Sequence, residues 1–184
     1  SYENREKLLS EFNKYFEESM KNPLFGYKSV IIKGSNEKSN ISNLLKLFDR
    51  NQIRYSYAGN TDKKYKGFEY NSNKDGEVTI EKGDILISAY QPQSHFMQAL
   101  FEPDTRSTDS ISYDLTAWAL PYVYNLKAYA IPDKIAPDTT KVAEKKIINE
   151  MIGLKAYAYV VNYFGFDELK LMAALYRKNV KLRY

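Results

Sequence analysis

Cysteine is missing altogether, and histidine and tryptophan occur once each in 184 residues. Without a thiol there is no disulfide, no thiolate metal ligand and no cysteine nucleophile. The lone imidazole, His95, leaves a catalytic zinc site short of donors, because such a site takes three protein ligands and usually more than one histidine. Any Ser-His-Asp arrangement would also have to use His95, and no G-x-S-x-G elbow accompanies a serine. Glycine is sparse, at 8 residues. Neither G-x-G-x-x-G nor G-x-x-x-x-G-K-[ST] occurs, so the common phosphate-cradling loops are excluded. No apolar run approaches the ~20 residues of a membrane helix, and no signal segment is visible. Ser1 in place of Met reads as the start of a processed chain or an excised fragment.

The chain is 43% hydrophobic and 27% charged, enough apolar material for a packed core. Its 17 Tyr and 9 Phe suit half-buried strands. The net charge of +4 gathers after residue 138. No dense Lys/Arg cluster interleaves with stacking aromatics, so a solvated face is expected there and not a nucleic-acid footprint.

Periodicity organises the rest. Leu8, Leu9, Phe12, Tyr15, Phe16 and Met20 predict an amphipathic helix over 2–21. "KSVIIKG" reads as a strand. Ile41, Leu44, Leu45 and Phe48 mark a helix with Ser39 or Asn40 as its N-cap, and "IRYSYAG" alternates as a strand. Together they predict a βαβ unit. Short strands follow, with Asp75-Gly76 as a hairpin turn, then a buried strand in "DILISA". The next helix, "QPQSHFMQALFE", has Phe96, Met97, Leu100 and Phe101 on its inner face. Leu115, Trp118, Ala119 and Tyr122 form another helical stripe, and "KAYAI" another strand. Residues 1–138 are expected to form one α/β unit and 139–154 a linker. In 155–184 a strand-helix-strand would begin a second copy or extend the first sheet.

The candidate chemistry is thin. His95 with Glu102 is the one metal pair worth naming, and a spacing of seven matches no ligand motif. A hydrolytic site would have to combine His95 with Ser94, Asp104 or Asp109. Asp104, Asp109, Asp114 and Glu102 fit no EF-hand spacing; helix capping by Asp109 or Ser112 accounts for them more simply. The turn after Gly34 reads as a capped βα turn and not an anion site.

One stretch carries more. "GDILISAYQPQSHFMQALFEPDTRSTDSISYDLTAWALPYVYNLKAYA" resembles the region downstream of the catalytic domain in large secreted bacterial zinc carboxypeptidases, with the elements QPQ, LFEP, DS and YDLTAW.LPY. The resemblance is specific over about residues 84–130 and looser over 2–184. It implies a class I glutamine-amidotransferase-like fold, α/β and three-layered, with a mostly parallel, flavodoxin-like sheet flanked by helices. It also implies a non-catalytic accessory domain, secreted or periplasmic, packed against the peptidase domain of the same polypeptide. Zinc would belong to that other domain, since the family's His-x-x-Glu pair and later His are not in this chain. No cofactor, nucleic acid or membrane partner is implied for this part.

Overall fold

The computed structural model describes residues 4–24, 26–59, 62–103, 119–136, 157–161, 163 and 165–183. In chain order the elements are α1 (Arg5–Lys21), β1 (Ser29–Ile32), α2 (Lys38–Arg50), β2 (Ser56–Tyr57), β3 (Lys64–Glu69), β4 (Lys74–Thr79), β5 (Ile85–Ser88), α3 (Ser94–Phe101), α4 (Leu120–Val123), β6 (Ala128–Ile131) and α5 (Phe166–Arg177). The strands make one six-stranded sheet of order β2-β5-β1-β6-β3-β4, and every neighbouring pair is antiparallel.

This overturns the expected mostly parallel, three-layer sheet. The βαβ expectation was half right. β1 and β2 point the same way and α2 joins them, but β5 lies between, antiparallel to both. Continuous apolar runs like those of β1, β5 and β6 are common in parallel strands, which are usually covered on both faces. Here they are central antiparallel strands covered on both faces. Val30, Ile32, Ile85, Ile87, Ala128 and Ala130 pack against Leu44 and Phe48 of α2 and Met97 and Phe101 of α3. The alternating Ile31, Leu86, Tyr129 and Ile131 pack on the other face with Val78, Ile80, Ala58 and Ile135. The period-2 alternation of strand side chains thus feeds two cores, and each fully buried aliphatic side chain contributes about 1.5–3 kcal/mol.

Local details also moved. The β3–β4 turn falls on 70–73, with Asn73 in the left-handed region (φ 54), while Asp75 and Gly76 pair with Phe68 and Gly67 inside the ladder. Asparagine tolerates that conformation, so it can serve where a glycine was expected. The N-cap of α2 is Glu37, whose side chain accepts from the Lys38 N–H, whereas Ser39 and Asn40 are buried in its first turn. On α3 the buried stripe is Ser94, Met97 and Phe101, and Phe96 faces outward at 40% exposure.

The helix expected near the N-terminus is present, but its apolar stripe is not in the core. Leu9 and Phe12 are each 61% exposed, and the residue α1 buries is Ser19. Beyond residue 156, α5 forms as expected and buries no residue. The flanking strands do not form among the described residues, since 157–161 and 180–183 carry no strand. The linker 139–154 and the residues Leu115 and Trp118 lie outside the described residues. No helix among the described residues is long and apolar enough to cross a membrane.

Candidate functional site

His95 sits in the first turn of α3. Its ring stacks on Tyr15 of α1, 4.5 Å between centroids and 17° between planes, and Nδ1 lies 3.2 Å from Ser19 Oγ. Ser19 Oγ also donates to the Tyr15 carbonyl at 2.8 Å. A serine has one proton, so with that proton on Tyr15 the imidazole donates from Nδ1 to Ser19. This arrangement fastens α1 to α3.

Ser94, the adjacent hydroxyl, is 0% exposed, and its Oγ has no hydrogen-bond partner. A nucleophile must reach a substrate, and Ser94 cannot. Asp104, Asp109 and Asp114 lie outside the described residues, as does Ser112. Glu102 is the C-cap of α3. Seven residues of helix separate it from His95 by about 10 Å along the axis, and the His95 ring is turned to Tyr15 and Ser19 of α1. Among the described residues no group of three or more His, Cys, Asp or Glu side chains could hold a metal.

The polar centre that does form was not anticipated. Lys33, at the end of β1, puts Nζ 2.6 Å from Asp84 Oδ2, 2.8 Å from Glu81 Oε2 and 2.9 Å from the Thr79 carbonyl. Asp84 is 1% exposed and also accepts from Gly34 N at 2.8 Å and Glu81 N at 2.9 Å. Burial pulls the Lys33 pKa down, but hydrogen bonds to Asp84 and Glu81 and the charges of both outweigh it, and the pKa is raised. The bond to Lys33, ahead of its charge, lowers the Glu81 carboxyl. The turn after Gly34 therefore serves this network. A Cβ on Gly34 would come within 2.5 Å of the Gly83 carbonyl, so only glycine permits the approach.

The signature stretch is used as scaffold. The Gln91 side chain accepts from Arg54 N at 2.7 Å and donates to the carbonyls of Arg54 at 3.3 Å and Ser88 at 2.7 Å. It ties the end of β5 to the segment leading into β2. Tyr70, buried behind the sheet, donates its hydroxyl to the Phe101 carbonyl. Burial, then the neighbouring Tyr122 and Tyr27, raises its pKa well above 10. Leu120 and Pro121 are buried. Nothing in the local periodicity identified Gln91 or Tyr70 as pins, because their partners lie far away in the chain.

Two surface clefts flank α4. One, of about 260 Å³, is lined by Asn40, Val123, Tyr124, Asn125, Tyr163, Gly165, Phe166 and Leu169. The other, of about 340 Å³, is lined by Tyr70, Asn71, Asn73, Pro121, Tyr122, Asn125 and Leu126. Neither has a charged lining residue. Comparison of the chain with protein-family models, with curated proteins and with solved structures finds no match in any of the three.

Proposed function

We infer that this chain is a non-catalytic accessory domain of a zinc carboxypeptidase, working beside the peptidase domain of the same polypeptide. The reading rests on the resemblance of residues 84–130, without the amidotransferase-like parallel sheet that the resemblance implied. One observation carries it: the signature residues Gln91, Phe101, Leu120 and Pro121 are buried or hydrogen-bonded as scaffold. A stretch with that job suits a domain that positions and supports. The zinc and the hydrolytic chemistry belong to the peptidase domain, and a secreted or periplasmic location follows from the same likeness.

The test has two arms. The purified chain should carry no stoichiometric zinc by elemental analysis and should not release C-terminal residues from peptides. The reading frame upstream of the Ser1 codon should encode a zinc carboxypeptidase domain whose stability or turnover changes when this chain is deleted. Tight zinc binding with chelator-sensitive turnover by the chain alone would overturn the reading. So would an upstream frame with no peptidase.

A further inference from the structure

The geometry points to a binding site for a neutral sugar in the cleft beside Tyr122. The walls combine an aromatic ring with side-chain amides. The Tyr122 ring is 36% exposed and is held edge-on against Tyr70, 5.5 Å between centroids. Tyr70 is itself fixed by its hydroxyl bond to the Phe101 backbone. The platform is therefore preorganised, which lowers the entropy lost on binding.

Asn71, Asn73 and Asn125 surround the platform. Tyr122 donates its hydroxyl hydrogen to Asn73 Oδ1 at 3.2 Å, which leaves the Asn73 amide N–H groups to donate elsewhere. A carboxamide both donates and accepts, as a sugar hydroxyl does. No charged side chain lines the cleft, so a phosphate, carboxylate or ammonium ligand would go unpaired there. A pyranose needs no counter-charge. It offers an apolar C–H face to the Tyr122 ring and hydroxyls to the amides. The volume of about 340 Å³ falls at the small end of ligand sites, suited to one unit of a chain left open at the surface.

Turn geometry alone explains asparagine at 73 and 125, whose φ values are 54° and 48°. Asn71 lies in the same β3–β4 turn, but turn geometry does not explain an aromatic ring left partly bare over the cleft. The inference stands independently of the carboxypeptidase reading.

The test is a titration of the full chain with chitotriose, maltotriose and cellotriose by amide-resonance NMR, with trigalacturonate as the charged control. At least one neutral trisaccharide should give saturable shifts centred on residues 70–73 and 121–126. Tyr122→Ala should weaken it by about tenfold or more, the scale of one well-placed aromatic contact. Tyr122→Phe should keep most of the affinity. Asn71→Ala, at an exposed turn position that does not threaten the fold, should also weaken binding. Absence of saturable shifts with all three neutral sugars would overturn the proposal. So would equal binding of the acidic trisaccharide, or affinity unchanged in both Tyr122→Ala and Asn71→Ala.

Discussion

His95 lies flat on Tyr15, with 4.5 Å between ring centroids. The only imidazole in the chain thus faces a helix of its own fold. Elsewhere α1 turns Leu9 and Phe12 to solvent, so this contact and the Ser19 bond are prominent among those that dock it.

His95→Gln is expected to keep the sheet and loosen α1. A stacked ring pair contributes about 0.5–1.5 kcal/mol and a hydrogen bond about 0.5–1.5 kcal/mol, so the loss should be about 1–3 kcal/mol. Amide exchange would localise it: residues 5–21 should exchange faster while β1, β5 and β6 stay protected. Equal acceleration throughout would show that His95 supports the core and not only α1.

Tyr70→Phe removes one oxygen and strands the Phe101 carbonyl, whose donor is the Tyr70 hydroxyl. A buried acceptor left unpaired costs about 1–3 kcal/mol. Denaturant unfolding should show a lowered midpoint at unchanged slope. An unshifted midpoint would mean that water replaces the hydroxyl.

Asp84→Ala should be worse than Lys33→Met. Asp84 accepts from Lys33 Nζ, Gly34 N and Glu81 N, so its loss orphans two backbone donors and leaves the buried Lys33 ammonium with only Glu81 and the Thr79 carbonyl. Breaking a buried pair by removing one partner costs about 3–5 kcal/mol. In Lys33→Met the carboxylate keeps its two backbone donors, so that variant should fall below the Asp84→Ala loss. Paired urea titrations decide it, and the reverse order would refute this account of the network.

The sequence made visible what is local. The stripe of Ile41, Leu44, Leu45 and Phe48 marks α2, and runs such as "SVII" and "AYAI" mark strands, because a face of a helix or strand is written in consecutive residues. Strand direction is not. The place of β5 between β1 and β2 is supported by the close approach of Gly34 to Gly83 and by the Lys33–Asp84 pair, 51 residues apart. Lys33, directly after "VII", reads as an exposed strand end until Asp84 is placed beside it. The α3 stripe was misplaced because Phe96 is apolar and Ser94 is not, yet the fold buries the serine and exposes the phenylalanine. For the candidate site, the sequence held its residues but not their meeting. Asn71 and Asn73 come from the β3–β4 turn, while Tyr122 and Asn125 come from α4 and its end.

Alkaline pH should unfold the protein earlier than its charge alone implies. Burial, then the hydroxyl bond to Glu69 at 2.8 Å and nearby carboxylate charge, pushes Tyr129 up to about 12. Burial raises Tyr70 well above 10, and Lys33 is raised by its carboxylate partners against the opposing effect of burial. Each folded-state pKa exceeds its unfolded value, so the folded chain keeps protons that the unfolded chain releases. Stability from these groups is complete below about pH 10, where the unfolded tyrosines still hold their protons. It declines as pH rises through the folded pKa values, because the unfolded state then binds fewer protons. Urea midpoints from pH 8 to pH 12 should be level at first and then fall. Tyr129→Phe removes one of the titrating groups and should flatten the fall without abolishing it, since Tyr70 and Lys33 remain. A wild-type midpoint that stays level to pH 12 would contradict the buried placement of these groups, and an identical slope in Tyr129→Phe would remove Tyr129 from the explanation.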